Sequence, residues 1–168
     1  MAEHQRILLA VDATEESLRA QHYVGRMATR LRGGSVCLIH VMPCVPPALR
    51  EHPGAERPQE EERLGLELKA RTKRWLTEQH EAALPVLDKA RAVLRKAGLP
   101  REQLESHVLS RDDHESVADT CVRAAREMQC DTVVVGRTVL SRMAEVLHEH
   151  TCDTLIEKGR GLTIWVVE

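Results

Sequence analysis

The chain has no phenylalanine, a single tyrosine and two tryptophans. An aromatic core is excluded, and the interior must be assembled from Leu, Val, Ile, Ala and Met. Charge excess is also missing. Lys and Arg number 24 against 26 Asp and Glu, for a net charge of -2, which implies no bulk attraction to nucleic acid or to a membrane surface. No apolar run is long enough to span a bilayer. The amino-terminal Met-Ala-Glu-His-Gln-Arg leads straight into a strand-like segment with no signal region. Paired cysteine spacing is absent too: Cys37, Cys44, Cys121, Cys130 and Cys152 are an odd set. Reduced thiols and a cytoplasmic location are therefore expected. No serine sits in the small-residue elbow of a hydrolase. Neither paired acids nor a Ser-His arrangement is visible, so the reading leans away from an enzyme.

What is present is an alternation of short apolar runs with helical periods. The 168 residues, 42% hydrophobic and 30% charged, suit one domain over 1–168 with a real core. Strands are expected at 6–12, 35–42, 103–110, 131–136 and 162–167. The third is the most polar and so belongs near an edge. Helices are expected from Thr14, as N-cap, to Gly33-Gly34, and then over 60–98, 115–128 and 140–158. Leu18, Tyr23, Val24, Met27, Ala28 and Leu31 supply the first helix's apolar stripe. Pro85 is expected to kink or split the long second helix. Asp112 or Asp113 is expected to cap the third. Residues 43–59 carry Pro43, Pro46, Pro47, Pro53, Pro58 and Gly54; this is an inserted loop without regular structure. Strands alternating with helices imply right-handed crossovers and a parallel sheet covered on both sides.

The run Asp131-Thr-Val-Val-Val-Gly136 reads as an inner parallel strand, buried on both faces. Ligands of such sheets bind beyond the carboxyl ends of the strands, which draws attention to Gly136 and Arg137. Together with Ile7-Leu-Leu-Ala-Val-Asp12, Ile39-His-Val-Met42, Thr154-Leu-Ile-Glu-Lys158 and Ile164-Trp-Val-Val167, this strand makes the chain resemble the universal stress protein family over nearly its whole length. The resemblance implies an α/β fold with one five-stranded parallel sheet, ordered 3-2-1-4-5 with helices on both faces, like the adenine nucleotide α-hydrolases. It also implies a homodimer paired through the last strand, 162–167. That strand is apolar on both faces, and a second chain would cover its free edge.

Many members of that family bind ATP through a glycine motif that begins at the end of the fourth strand. Phosphate oxygens there approach bare backbone N–H groups. Aligned on this chain, the motif keeps Gly136 but has Val139 at the second glycine, and Glu149 followed by His150 at the third. At ~4 Å and an effective dielectric of ~20, a carboxylate and a phosphate charge repel by about 4 kcal/mol. The triphosphate cradle thus reads as dismantled. The resemblance still assigns Asp12 to the ribose or adenine end and Val41 to the base. Arg137 and Arg142 remain as cations for a different anion. Asp12 equally suits the close of a strand before the Thr14 helix, Arg137 a solvated surface charge, and Gly136 a turn.

His148, Glu149, His150 and Cys152 attract attention as metal ligands. Helical residues advance by about 100°, so His148 and Cys152 share a face while His150 points away, and no metal site is expected. Cys37 and Cys121 read as small core residues, and Cys44 as the exposed thiol. The first expectation is a dimeric stress-response interaction module without a cofactor and without the usual ATP binding. The alternative is an adenine-nucleotide-binding member, with ATP or another adenine nucleotide held by Asp12, Val41, Gly136, Arg137, Val139 and His150, and weak or no ATPase activity.

Overall fold

In a computed structural model of the chain, the described residues are 5–30, 34–51, 54–112, 114–137 and 151–168, with side chains from 154 onward in the last segment. Five strands, β1 (Arg6–Ala10), β2 (Ser35–Val41), β3 (Leu104–Leu109), β4 (Thr132–Gly136) and β5 (Thr163–Val167), form one sheet in the order β3-β2-β1-β4-β5. Every pairing is parallel. The helices among the described residues are α1 (Glu15–Ala28), α2 (Pro58–Lys96), α3 (Val117–Glu127) and α4 (Thr151–Lys158). Class, strand order and the edge position of β3 follow the sequence reading.

Strand alternation divides the core in two. Leu8, Ala10, Cys37, Ile39, Val133 and Val135 face the layer of α3 and α4, meeting Val117, Cys121, Ala125 and Leu155. Ile7, Leu9, Val36, Leu38 and Val134 face α1 and α2, meeting Ala20, Val24, Leu87 and Leu94. Each fully buried Leu, Ile or Val contributes about 1.5–3 kcal/mol of apolar transfer energy. Fully buried side chains such as Leu8, Ile39 and Val133 therefore hold the sheet between its helix layers.

Several local expectations are corrected. Pro85 does not split α2, which runs unbroken through Pro58–Lys96; Pro85 itself is exposed. The helix is long enough to carry one missing hydrogen bond between two well-formed turns. α1 ends at Ala28 with Thr29 as C-cap, before Gly33-Gly34; the Thr29 hydroxyl donates to the Gly25 carbonyl and closes the last turn early. In α1, Val24 and Ala28 are buried as expected and Ala20 joins them, whereas Leu18 is 42% exposed; Leu31 lies outside the described residues. The expected loop contains a short 3-10 turn, Pro47–Leu49, and Pro58 begins α2 because a proline at the first helical position loses no bond.

The cap of α3 is Ser116, not Asp112, and Asp113 lies outside the described residues. Ser116 and Asp119 form a reciprocal capping box: the Asp119 N–H donates to Ser116 Oγ at 3.1 Å, and the Ser116 N–H to Asp119 Oδ2 at 3.1 Å. Lys158 Nζ, at the end of α4, donates to Asp119 Oδ1 at 2.6 Å, so one carboxylate joins the start of α3 to the end of α4. Burial works to raise the Asp119 carboxyl, but the bonds from Lys158 and Ser116 outweigh it and hold the carboxyl below its ordinary range. A carboxyl lowered by folding stabilises the protein above its unfolded pKa of about 3.9, and loses that contribution as pH falls through the folded value. Asp119→Asn is expected to cost about 1 kcal/mol at neutral pH. Thermal melts across an acid series should show the gap between the two proteins closing below about pH 4; a gap that persists unchanged there would reject the assignment.

β5 lies at the edge of the sheet. Its Trp165 packs edge-on against Tyr23 of α1, with ring centroids 5.6 Å apart at 86°, and its Val166 is 38% exposed.

Candidate functional site

The carboxyl ends of β1 and β2 open into a cleft of about 220 Å³ lined by Ala10, Val11, Asp12, His40, Val41, Pro43 and Val117. The helices that follow β1 and β2 pack on one face of the sheet, whereas Ala10, Val41 and Val117 of the cleft belong to the core layer of the other face. Beyond β1, the Val11 N–H still donates to the Ile39 carbonyl at 2.9 Å, which extends the ladder by one residue. Beyond β2, the Met42 N–H donates to the Leu109 carbonyl at 2.8 Å before Pro43 ends the strand. The first turn of α3 brings Val117 over this opening.

Asp12 turns the chain into α1. Its Oδ1 accepts from the Thr14 N–H at 2.8 Å and from the Thr14 hydroxyl, while its own N–H donates to Ser17 Oγ at 3.0 Å. Thr14 in turn caps α1 by accepting from the Ser17 N–H. This is an Asx turn feeding an N-cap. Asp12 thus shapes the turn and also lines the cleft. Val41, 9% exposed, supplies an apolar wall.

His40 is a cleft residue that the sequence reading did not single out. Its Nδ1 lies 2.8 Å from the Val11 carbonyl oxygen. A carbonyl only accepts, so Nδ1 carries a hydrogen there, and Nε2 is the ring's other polar atom. The signal in the sequence was a lone polar residue at the carboxyl end of the otherwise apolar Val36-Cys-Leu-Ile-His-Val41.

Gly136 and Arg137 are placed elsewhere. Gly136 packs against the first turn of α1, where an added Cβ would stand 2.8 Å from both the Glu16 carbonyl carbon and its oxygen. The need for glycine there is therefore close helix–strand contact. Arg137 is exposed and ion-paired with Glu168 just past β5. Val139 and His150, like Arg142, His148 and Glu149, lie outside the described residues, as does the Cys152 side chain. Among the described residues no group of His, Cys, Asp or Glu is arranged to hold a metal ion, and no helix is long and apolar enough to cross a membrane. A larger surface hollow of about 500 Å³ between α3 and α4 is lined mainly by charged side chains. These largely pair with one another, Arg123 with Glu115 and Lys158 with Asp119, so the hollow presents little unmatched charge to a ligand.

The model of the universal stress protein family matches residues 3–160. The chain belongs to the universal stress protein family. No curated protein matches it in sequence. Solved universal stress proteins match it in fold. One in complex with cAMP is 16% identical with a TM-score of 0.61, covering 98% of this chain and 97% of that one. One from Archaeoglobus fulgidus in complex with dAMP is 20% identical with a TM-score of 0.59, covering all of both chains. One from Arabidopsis thaliana with AMP bound is 12% identical with a TM-score of 0.52, covering 97% and 90%. The fold of this universal stress protein is thus the α/β fold of those solved proteins.

Proposed function

We propose that this universal stress protein takes the adenosine end of an adenine nucleotide in the cleft formed by Asp12, His40 and Val41, and that it acts by associating with other proteins rather than by turning over ATP. The observation that carries the nucleotide half is the cleft itself. It lies beyond the carboxyl ends of β1 and β2, where parallel sheets bind ligands. Its apolar walls, Val41 and Val117, are joined by the Asp12 carboxylate and the His40 imidazole. At about 220 Å³ it is smaller than the ~300–1,000 Å³ typical of whole-ligand pockets. A base and sugar suit that volume, while a triphosphate would have to extend outside it, and the sequence carries Val139 and Glu149 where the family's ATP motif has glycines. The fold neighbours named above hold cAMP, dAMP and AMP, which supports a monophosphate as the first ligand to test.

Thermal melting with AMP, cAMP and Mg-ATP provides that test. A ligand at about 100 times its dissociation constant adds roughly 2.7 kcal/mol of stability. AMP is expected to raise the Tm at least as much as ATP does, and Arg137→Ala to leave the shift intact, because Arg137 pairs outside the cleft. Absence of any shift at millimolar nucleotide would remove nucleotide binding from the reading and leave protein association alone. A Tm rise with ATP well above that with AMP would show a working triphosphate cradle.

The association half rests on β5. Its outer side has no strand partner among the described residues, and Val166 is exposed. Pairing of two such edges about a two-fold axis gives a closed homodimer. Sedimentation should find a dimer that Val166→Lys weakens; a monomer at every concentration would reject the pairing.

A further inference from the structure

The connection from β3 to α3 carries a cation without a matching anion. Arg111 stands two residues past the end of β3 and is half-buried. Its Nη1 makes one long bond, donating to the Glu115 carbonyl at 3.4 Å. Its Nε is buried and finds no acceptor among the described residues. Nor does Arg111 form an ion pair among them. Glu115, the acid beside that carbonyl, is committed to Arg123, whose Nε and Nη2 donate to its two oxygens at 2.8 and 3.2 Å. A buried N–H is costly unless an acceptor meets it, and a guanidinium in this setting is matched by an anion from outside the chain.

Two sets of contacts place Arg111 beside the mouth of the cleft. In the β2–β3 ladder Val41 faces Leu109, and continuing that register by two residues brings Pro43 level with Arg111. Cys44 Sγ lies 3.9 Å from the Asp112 carbonyl oxygen, which keeps the two connections side by side beyond the sheet. On the other flank, Arg111 reaches Glu115, two residues before Val117. Pro43 and Val117 both line the cleft. Leu109 packs into the core layer beneath α3, the layer to which Val41 and Val117 belong. Arg111 therefore sits between two lining residues, just outside the lining itself.

The cleft thus has two electrically different sides. Asp12 flanks it beyond β1, Arg111 stands beyond β3, and Val41 and Pro43 of the β2 connection lie between them. A phosphate turned toward β1 meets a carboxylate of like charge. Turned toward β3, it meets a planar fork of donors whose geometry matches phosphate oxygens. Arg137 offers no alternative, because it is exposed and paired with Glu168. A base and sugar fill the cleft, so the phosphate emerges at its mouth, where the charge of Arg111 decides which way it leaves.

We infer that Arg111 binds the phosphate of a nucleoside monophosphate whose base and sugar occupy the cleft. The inference rests on the nucleotide reading above and adds to it the residue that holds the anion and the side on which it lies. The guanidinium donates from Nε and one Nη to two phosphate oxygens, which supplies the acceptor that its buried Nε otherwise lacks. The anion contact comes from a side chain on the β3–α3 connection, in place of bare backbone amides after β4. A single guanidinium matches a single phosphate, so further phosphates gain nothing from it.

Isothermal titration of the full chain with adenosine and with AMP tests this. The wild type is expected to bind AMP about tenfold or more tighter than adenosine, the effect of one charge-assisted pair, and the preference should shrink as salt rises. Arg111→Met should bind adenosine as the wild type does, and AMP no better than adenosine. Arg111→Lys should keep only part of the preference, since lysine presents a point charge without the fork. Arg137→Ala should keep all of it. Equal wild-type affinities for adenosine and AMP would overturn the inference while leaving the cleft a nucleoside site. An AMP preference that survives intact in Arg111→Met would also overturn it, by showing the phosphate held elsewhere. If neither ligand binds the wild type, the nucleotide reading fails and this inference with it. Should Arg111→Met not fold, the wild-type ratio and the partial loss in Arg111→Lys decide the matter; an undiminished preference in Arg111→Lys would then count against the fork.

Discussion

Gly136→Ala is expected to lower stability by about 3 kcal/mol, the upper part of the range for overpacking a tight contact. For a domain of this size that corresponds to a fall in Tm of roughly 6–12 °C. The reason is what the new methyl would meet. Its closest neighbours are the carbonyl carbon and oxygen of Glu16, each at 2.8 Å, and the Ser17 nitrogen at 2.9 Å. All three are backbone atoms, so no side chain can rotate out of the way. The helix turn that carries them is also pinned: Ser17 accepts from the Asp12 N–H and donates its own N–H to Thr14 Oγ1. To admit one carbon, the first turn of α1 must move away from β4 and take the Asp12 turn with it. Chemical denaturation with and without AMP measures both consequences, and weaker AMP binding should accompany the lost stability. Gly54→Ala is the control, because its nearest neighbour is a glutamate oxygen at 3.9 Å, and it should cost little. A Gly136→Ala protein as stable as wild type would mean that α1 does not rest on this glycine.

This role for Gly136 illustrates where the sequence was readable and where it was not. The strands were readable because inner parallel strands are buried on both faces and must be apolar throughout; Thr132–Gly136 is buried at every position. One edge strand was readable through polarity: in Leu104–Leu109 no residue is fully buried. Caps were partly readable. Ser116-x-x-Asp119 carries the capping-box spacing, yet two aspartates just upstream competed for the same assignment, and only the backbone path decided between them. In the cleft, Asp12 and Val41 were legible from motif positions at strand ends. Val117 was not, since it reaches the cleft from an element far along the chain. The contacts of Arg6 with Cys37 and Glu105 were illegible for the same reason: the three residues come from three strands, and no local pattern marks them.

Pro85→Ala is expected to stabilise the protein, by up to about 3 kcal/mol, the difference between these residues in a helix interior. Proline has no N–H for the Glu81 carbonyl, and its ring crowds that carbonyl. Because Pro85 is exposed, alanine there leaves no cavity behind. The gain should be unevenly distributed along α2. All of its buried residues, Ala83, Leu87, Ala90 and Leu94, lie from 83 onward, so sheet packing anchors only the carboxyl-terminal portion. The preceding turns touch the rest of the chain more lightly, for example where Thr72 Oγ1 donates to the Leu49 carbonyl at 2.6 Å. Helix propagation across position 85 is therefore the main route by which the anchored turns support the earlier ones. Hydrogen exchange should show the largest rise in protection at amides 60–84, accompanied by a higher Tm, while protection in β1 and β4 rises only by the global increment. If protection before position 85 is unchanged while the Tm still rises, the effect belongs to the unfolded chain, which loses the proline's restriction. If neither moves, the helix already accommodates the proline without cost, and the two portions of α2 are held by contacts other than the one Pro85 removes.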